Sequence, residues 1–262
     1  MLSAKSLFQE ILDNDESYRL FCSIAASGEA QGGWENARIA ALLPPELAEL
    51  APKVTRHGAD EAKHGRIFAA LLRKRDLTPC DVPEAADYTM LLETRGVGLR
   101  HDRLRQDEPL TVAEVIAYLA HSRVTEQRAS EQMRLLRKHF AGRPDIGRAV
   151  QMIAADETNH LAYCHAELLC LEERGHRQII RRMLGDYASV EIEVYRDVGL
   201  TVVAQMASIL RWPRAKVRVL EAGIHANYRY EHVAGWRRLV SLRPPPPNVE
   251  QQSGQRSFAL SE

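Results

Sequence analysis

The hexapeptide Ala59-Asp60-Glu61-Ala62-Lys63-His64 is echoed by Ala155-Asp156-Glu157-Thr158-Asn159-His160, so A-D-E-x-x-H is spelled twice in one chain. On a helix, residues three apart share a face, and each copy therefore presents a carboxylate and an imidazole to one point. Such a pair suits a metal ion or a hydrogen-bond network, because a carboxylate and an imidazole buried without a partner are costly. A third Glu-x-x-His, Glu173 and His176, is interrupted by Gly175 among charged residues and reads as a solvated helix end.

Neighbours at offsets of three, four and seven show which way each glutamate faces. Around Glu61 stand Val54, Gly58, His64, Gly65 and Phe68; around Glu157 stand Val150, Ile153, Ala154, His160, Leu161 and Cys164. Both glutamates face inward. A dinuclear site needs more carboxylate, and in ferritin-like di-iron bundles two further helices each supply one Glu. By the same test Glu29, with Cys22, Ala25, Ala26, Gly32 and Gly33 on its face, is preferred to Glu35, which has Gln31 and Arg38. Glu126, with Leu119, Ser122, Ala129, Ser130 and Met133, is preferred to Glu131, which is flanked by Gln127, Arg128, Arg134 and Lys138. From Glu29 to Glu61 is 32 residues and from Glu126 to Glu157 is 31, the pattern of one helix pair used twice.

The elements that must position these residues are helical, since strand-like Val/Ile/Thr alternation is almost absent. Long helices are predicted from Ser17 to Leu43, stopped by Pro44-Pro45, and from after Pro52 to Lys74. A third opens at the capping box Thr111-x-x-Glu114 and ends near Ala141-Gly142; a fourth, capped by Asp145, ends near Gly175. The stretch from Arg75 to Leu110 is far longer than a tight turn and reads as a crossover connection. Two more helices are expected over His176–Leu210 and Pro213–Leu242, and "MLSAKSLFQEIL" reads as an amphipathic start. The fold class is thus all-α, with a single domain over 1–242 and a Pro-rich, disordered tail over 243–262.

Six residues in this order and spacing, Glu29, Glu61, His64, Glu126, Glu157 and His160, resemble the ligand set of the ferritin-like di-iron carboxylate superfamily. The likeness covers Ser17 to Gly175; "IAADETNHLAY" and "TEQRAS" are similar to soluble acyl-carrier-protein desaturases, and the size is similar to aldehyde-deformylating oxygenases. Where the family has Arg before the His, this chain has Lys63 and Asn159. The resemblance implies a ferritin-like four-helix bundle holding two Fe ions, with Mn/Fe left open, that use O2 as co-substrate to oxidise a small-molecule or carrier-bound acyl substrate. It also implies crosswise support, Asp60 for His160 and Asp156 for His64, in keeping with the carboxylate that commonly orients a ligating His. Two alternatives stay open: a rubrerythrin-like ferroxidase or peroxidase, and a metal-free helical binding protein.

Around this set, Gly28, Gly32 and Gly33 interrupt a predicted helix, for close packing or for space beside the metals. Cys22 and Cys164 read as apolar fillers, and His57, one turn before Glu61, is a candidate to support the ligands. Tyr163 and His165 are expected on other faces, with a radical or proton-relay role for Tyr163 as the rival reading; Tyr118 and His121 stay unassigned. Four cysteines without a CxxC pair indicate neither a disulfide framework nor a zinc ribbon. A net charge of zero argues against nucleic acid. Arg174 to Arg243 nevertheless holds 13 Lys/Arg against 6 Asp/Glu, and Arg177, Arg181, Arg182, Arg211, Arg214, Lys216 and Arg218 are read as a docking surface for an acidic electron donor or carrier protein, with a plain solvated face as the rival reading. With no apolar run long enough for a membrane span, a cytoplasmic location is expected, and a homodimer is left open.

Overall fold

The structure, a computed structural model, describes residues 3–140 and 142–242. Among the described residues it is helical, without strands, and no helix is long and apolar enough to cross a membrane. The tail expected over 243–262 lies outside the described residues.

Four long helices carry the repeat: α2 (Asp15–Ala41), α3 (Ala51–Arg73), α6 (Val112–Phe140) and α7 (Pro144–Leu171). Helix α2 starts where Asn14 accepts from the backbone N–H groups of Glu16 and Ser17, and Pro44-Pro45 prevents its continuation. Helix α6 opens on the expected box, Glu114 N–H donating to Thr111 Oγ1 and Thr111 N–H to Glu114 Oε2. Helix α7 begins at Pro144 with Arg143 as its extended N-cap. Asp145 thus falls inside the first turn and is not the cap expected, because Pro is pre-set for the first helical position.

Helices α2 and α3 pack antiparallel at very close range. A Cβ on Gly33 would stand 3.1 Å from Ala62 N and 3.2 Å from Gly58 O, and one on Gly65 would stand 3.3 Å from Ala26 O. Only the absence of side chains lets the backbones come so near. Helices α6 and α7 form the second antiparallel pair, with Tyr118 beside Tyr163. The pairs join face to face: His57 meets Tyr163 and His64 meets Asp156 between α3 and α7, while Tyr118 meets Asn36 between α6 and α2.

The remaining elements brace this frame. Helix α1 (Ala4–Asp13), read from sequence only as an amphipathic start, is capped by Ser3 and Ser6 and packs on α2. Residues 74–111 carry two short helices, α4 (Tyr88–Thr94) and α5 (His101–Leu104). Helix α8 (Arg177–Ile209) lays Ile180, Leu184, Ala188 and Ile192, spaced by four, into the main core. It is preceded by a wide turn over Glu172–His176 in which Gly175 takes φ +100°, a conformation suited to glycine.

The last predicted helix, Pro213–Leu242, is divided into α9 (Arg214–Tyr230) and α10 (Trp236–Val240) by a π-helical turn at Glu231–Gly235. The division serves a buried ion network that sequence periodicity could not show. Arg128 on α6 places Nε and Nη2 each 2.7 Å from the carboxylate of Glu191, a fully buried residue, and Nη1 3.3 Å from Glu231. Arg238 closes the network onto Glu131 and Glu231.

Candidate metal centre

Two groups of donors meet between the helix pairs. His57, Glu61, Glu126 and His160 form one, and Glu29, Glu61, His64 and Glu157 the other; within each, one ligand-capable atom per residue lies within 4.8 Å of the rest. Glu61 belongs to both. The structure therefore brings together all six residues named from sequence, and it adds a seventh, His57. The rivals stand elsewhere: Glu35 Oε1 lies 3.0 Å from His101 Nε2, and Glu131 is engaged by Arg238 and Gln127.

Helix α3 supplies three donors because 57, 61 and 64 fall at offsets of four and three on one face. His57 Nε2 stands 3.2 Å from Glu61 Oε1 and 3.0 Å from Glu126 Oε1, and its ring lies against that of His160 with centroids 3.9 Å apart. His64 Nδ1 stands 3.1 Å from Glu29 Oε2 and 3.4 Å from Glu157 Oε1. Gly32 makes room for the shared carboxylate, since a Cβ there would stand 3.0 Å from Glu61 Oε2. Gly33 serves close packing and Gly32 gives room at the cluster, while Gly28 meets nothing within 4 Å.

The donors fit metal ions. Glu126 Oε2 and His160 Nδ1 are buried without any hydrogen-bond partner, and they face each other at 3.7 Å. A cation between them would use both orphaned atoms, and two divalent cations would balance four glutamates. Oxygen-rich sets with imidazole suit iron or manganese, and no thiolate takes part.

Without a cation the charges are held apart by protons. Burial, then repulsion from Glu61, raises the pKa of Glu29 well above the usual carboxylate range. Burial and the Glu126 charge do the same to Glu157. Burial opposes a charged His57, but Glu126 and Glu61 overcome it and push the imidazole up to about 10. Burial would also raise Glu126, yet the adjacent His57 charge holds it well below its ordinary value. The mutual repulsion that shifts these groups is what a metal pair would relieve.

The aspartates of the repeat lie crosswise. His64 Nε2 donates to Asp156 Oδ2 at 3.0 Å, whereas His160 Nε2 is 3.5 Å from Asp60 Oδ2, outside hydrogen-bonding geometry. Lys63 lies 2.7 Å from both Asp60 and Asp156 and ties them together. Its side chain is 40% exposed.

Tyr163 corrects the sequence reading that set it on another face. It follows His160 by three residues and so shares its side of α7; its hydroxyl is 2.7 Å from His57 Nδ1 and 2.6 Å from the hydroxyl of Tyr118. His165 is buried away from both donor groups, as expected. Cys22 packs among apolar residues with its thiol pushed by burial up to about 11. Cys164, also in an apolar cluster, has its thiol raised by burial. His121 contacts Gly98, where a Cβ would meet its ring at 2.6 Å.

Comparison with known proteins returned no matching family model, no matching curated sequence and no matching solved structure.

Proposed function

We propose that α2, α3, α6 and α7 form a ferritin-like four-helix bundle, with residues 74–111 as its crossover connection, and that it is an O2-activating non-haem di-iron oxidase or oxygenase. The substrate in this reading is organic, of an apolar or acyl type. The observation that carries it is the convergence of two donor groups on the shared Glu61, with orphaned Glu126 and His160 atoms within one of them. Glu29, Glu61, His64 and Glu157 would hold one iron, and Glu61, Glu126, His57 and His160 the other. Bound irons would supply the reduction of O2, a task carbon, nitrogen and oxygen side chains do not perform alone. The protein holds the carboxylates close, keeps Asp156 on His64, and excludes water from Glu126 and Glu157, which are 8% and 4% exposed.

The rubrerythrin-like alternative, which handles iron or peroxide, draws on the polar approach through Lys63, Asp60, Asp156 and the partly exposed Glu29. For the oxidase, Arg177, Arg182, Arg211, Arg214 and Arg218 are exposed and fit an acidic donor or carrier protein. Arg181 and Lys216 of the same stretch are paired with Glu172 and Glu10.

The deciding experiment is anaerobic iron reconstitution followed by metal analysis and O2 exposure. Two irons per chain are expected, with loss of metal in Glu61→Ala and His160→Ala but not in Glu35→Ala or Glu131→Ala. Helix content should survive in all four, because the apolar stripes remain. A chain that takes up no metal would overturn both enzymatic readings, and one that oxidises iron but no organic compound would favour the alternative.

A further inference from the structure

We propose that His57 is a third imidazole ligand, held with Nε2 toward the metals by a one-way hydrogen-bond chain through Tyr163, Tyr118 and Asn36. The inference rests on the dinuclear reading and deepens it. It follows from counting protons along four groups, three of them buried and Tyr163 half-buried.

The chain begins at a backbone carbonyl. Asn36 Nδ2 donates to Gly32 O at 2.9 Å, which fixes the amide so that Oδ1 is its acceptor end. Tyr118 lies 2.6 Å from that oxygen, so its one hydroxyl proton points to Asn36. Between Tyr118 and Tyr163 the oxygens are 2.6 Å apart. Since Tyr118 has spent its proton, Tyr163 must be the donor there. Its oxygen can then only accept from His57 Nδ1, 2.7 Å away. A phenol has one donor hydrogen and an imidazole nitrogen is either donor or acceptor, so no other arrangement avoids two lone pairs in contact.

Nδ1 of His57 therefore carries hydrogen whatever occupies the other nitrogen. In the neutral ring the lone pair is on Nε2, which faces Glu61 Oε1 at 3.2 Å and Glu126 Oε1 at 3.0 Å. An acceptor that fixes the tautomer of a ligating His is the usual second partner of such a residue. Here it is a phenol, where His64 uses the carboxylate of Asp156. One metal position thereby gains two imidazoles, His57 and His160, beside Glu61 and Glu126. The other has one imidazole, His64, among three carboxylates. The repeat is symmetric in sequence, but the centre is not: the residue one turn before Glu157, where His57 stands before Glu61, is the apolar Ile153.

Cobalt(II) is the probe, in the full chain, because ring N–H protons of histidines bound to it appear as strongly shifted, solvent-exchangeable proton resonances. The wild-type protein loaded with cobalt should show three such signals, from His57 Nδ1–H, His64 Nε2–H and His160 Nε2–H. His57→Gln should show two, and Tyr163→Phe should retain its cobalt while the His57 signal shifts or is lost to fast exchange with solvent. Two signals in the cobalt-loaded wild type, both retained in His57→Gln, would remove His57 from the ligands and leave the dinuclear reading standing. An unchanged set of three in Tyr163→Phe would remove the phenol's positioning role. No cobalt uptake at all would sink the dinuclear reading itself. Where His57→Gln does not fold, Tyr163→Phe identifies the His57 signal by its shift or loss, since the phenol touches that imidazole at Nδ1.

Discussion

His64 Nε2 donates to Asp156 Oδ2 at 3.0 Å across the junction of α3 and α7, so that a side chain from each copy of the repeat is locked to the other. The bond leaves His64 Nδ1 for the metal side. Replacing the acceptor by an amide keeps the size but removes the charge that strengthens the ligand. Asp156→Asn is expected to lower cobalt(II) or iron(II) affinity by roughly 10- to 100-fold, the usual effect of losing such support. Chelator competition measures it, with circular dichroism as a check on folding. An unchanged affinity would mean that the contact only fastens α3 to α7.

Metal binding should release protons. Glu29 and Glu157 have raised pKa values and His57 is pushed up to about 10, so the metal-free site holds protons that ligation must expel. Part of the Glu29 carboxylate reaches solvent, at 17% against 4% for Glu157. Below these raised values the bound state carries fewer protons than the free state, and affinity therefore rises with pH. Each proton released contributes about tenfold per pH unit. Calorimetry in buffers of different ionisation enthalpy counts the protons; affinity that is flat or falls between about pH 6 and pH 8 would contradict this charge assignment.

Much of this site could be read from one sequence because helical offsets translate directly into shared faces. The test that preferred Glu29 and Glu126 to Glu35 and Glu131 had a physical basis that the structure makes visible: the rejected pair are engaged by His101 and by Arg238. The offset of four between His57 and Glu61 is legible, but the repeat does not mark it, because Ile153 takes the matching position in the second copy. The break between α9 and α10 was not legible at all. Its cause is spatial, since Glu231 turns toward Arg128 and Arg238, and no run of breaking residues announces it.

The glycines of α2 should separate cleanly under mutation. Gly28 meets nothing within 4 Å, and Gly28→Ala is expected to stabilise by about 0.5–1 kcal/mol, since glycine costs that much inside a helix. Gly33→Ala would press its Cβ against Ala62 N and Gly58 O at 3.1 and 3.2 Å. These are backbone atoms of α3 and can yield only if the helices part. A loss of about 1–3 kcal/mol is expected, as for other overpacked cores. Urea denaturation of the metal-free protein resolves both signs, and a stabilising Gly33→Ala would show that the helix pair can separate without strain.

Arg128 tests whether the C-terminal helices are held by charge. Glu191 is fully buried, with its carboxylate bound by Arg128 and by the hydroxyl of Tyr88 at 2.9 Å. Arg128→Met fills similar volume yet strands Glu191, and it takes one of two arginines from Glu231. A loss of about 3–5 kcal/mol is expected, the cost of a buried ion left without its partner. The double variant Arg128→Met/Glu191→Gln should regain most of that loss, because the penalty lies in the uncompensated charge and not in the missing contacts. Equal destabilisation of single and double variants in urea would assign the loss to packing instead, including the stacking of Arg128 on Tyr195 at 4.1 Å.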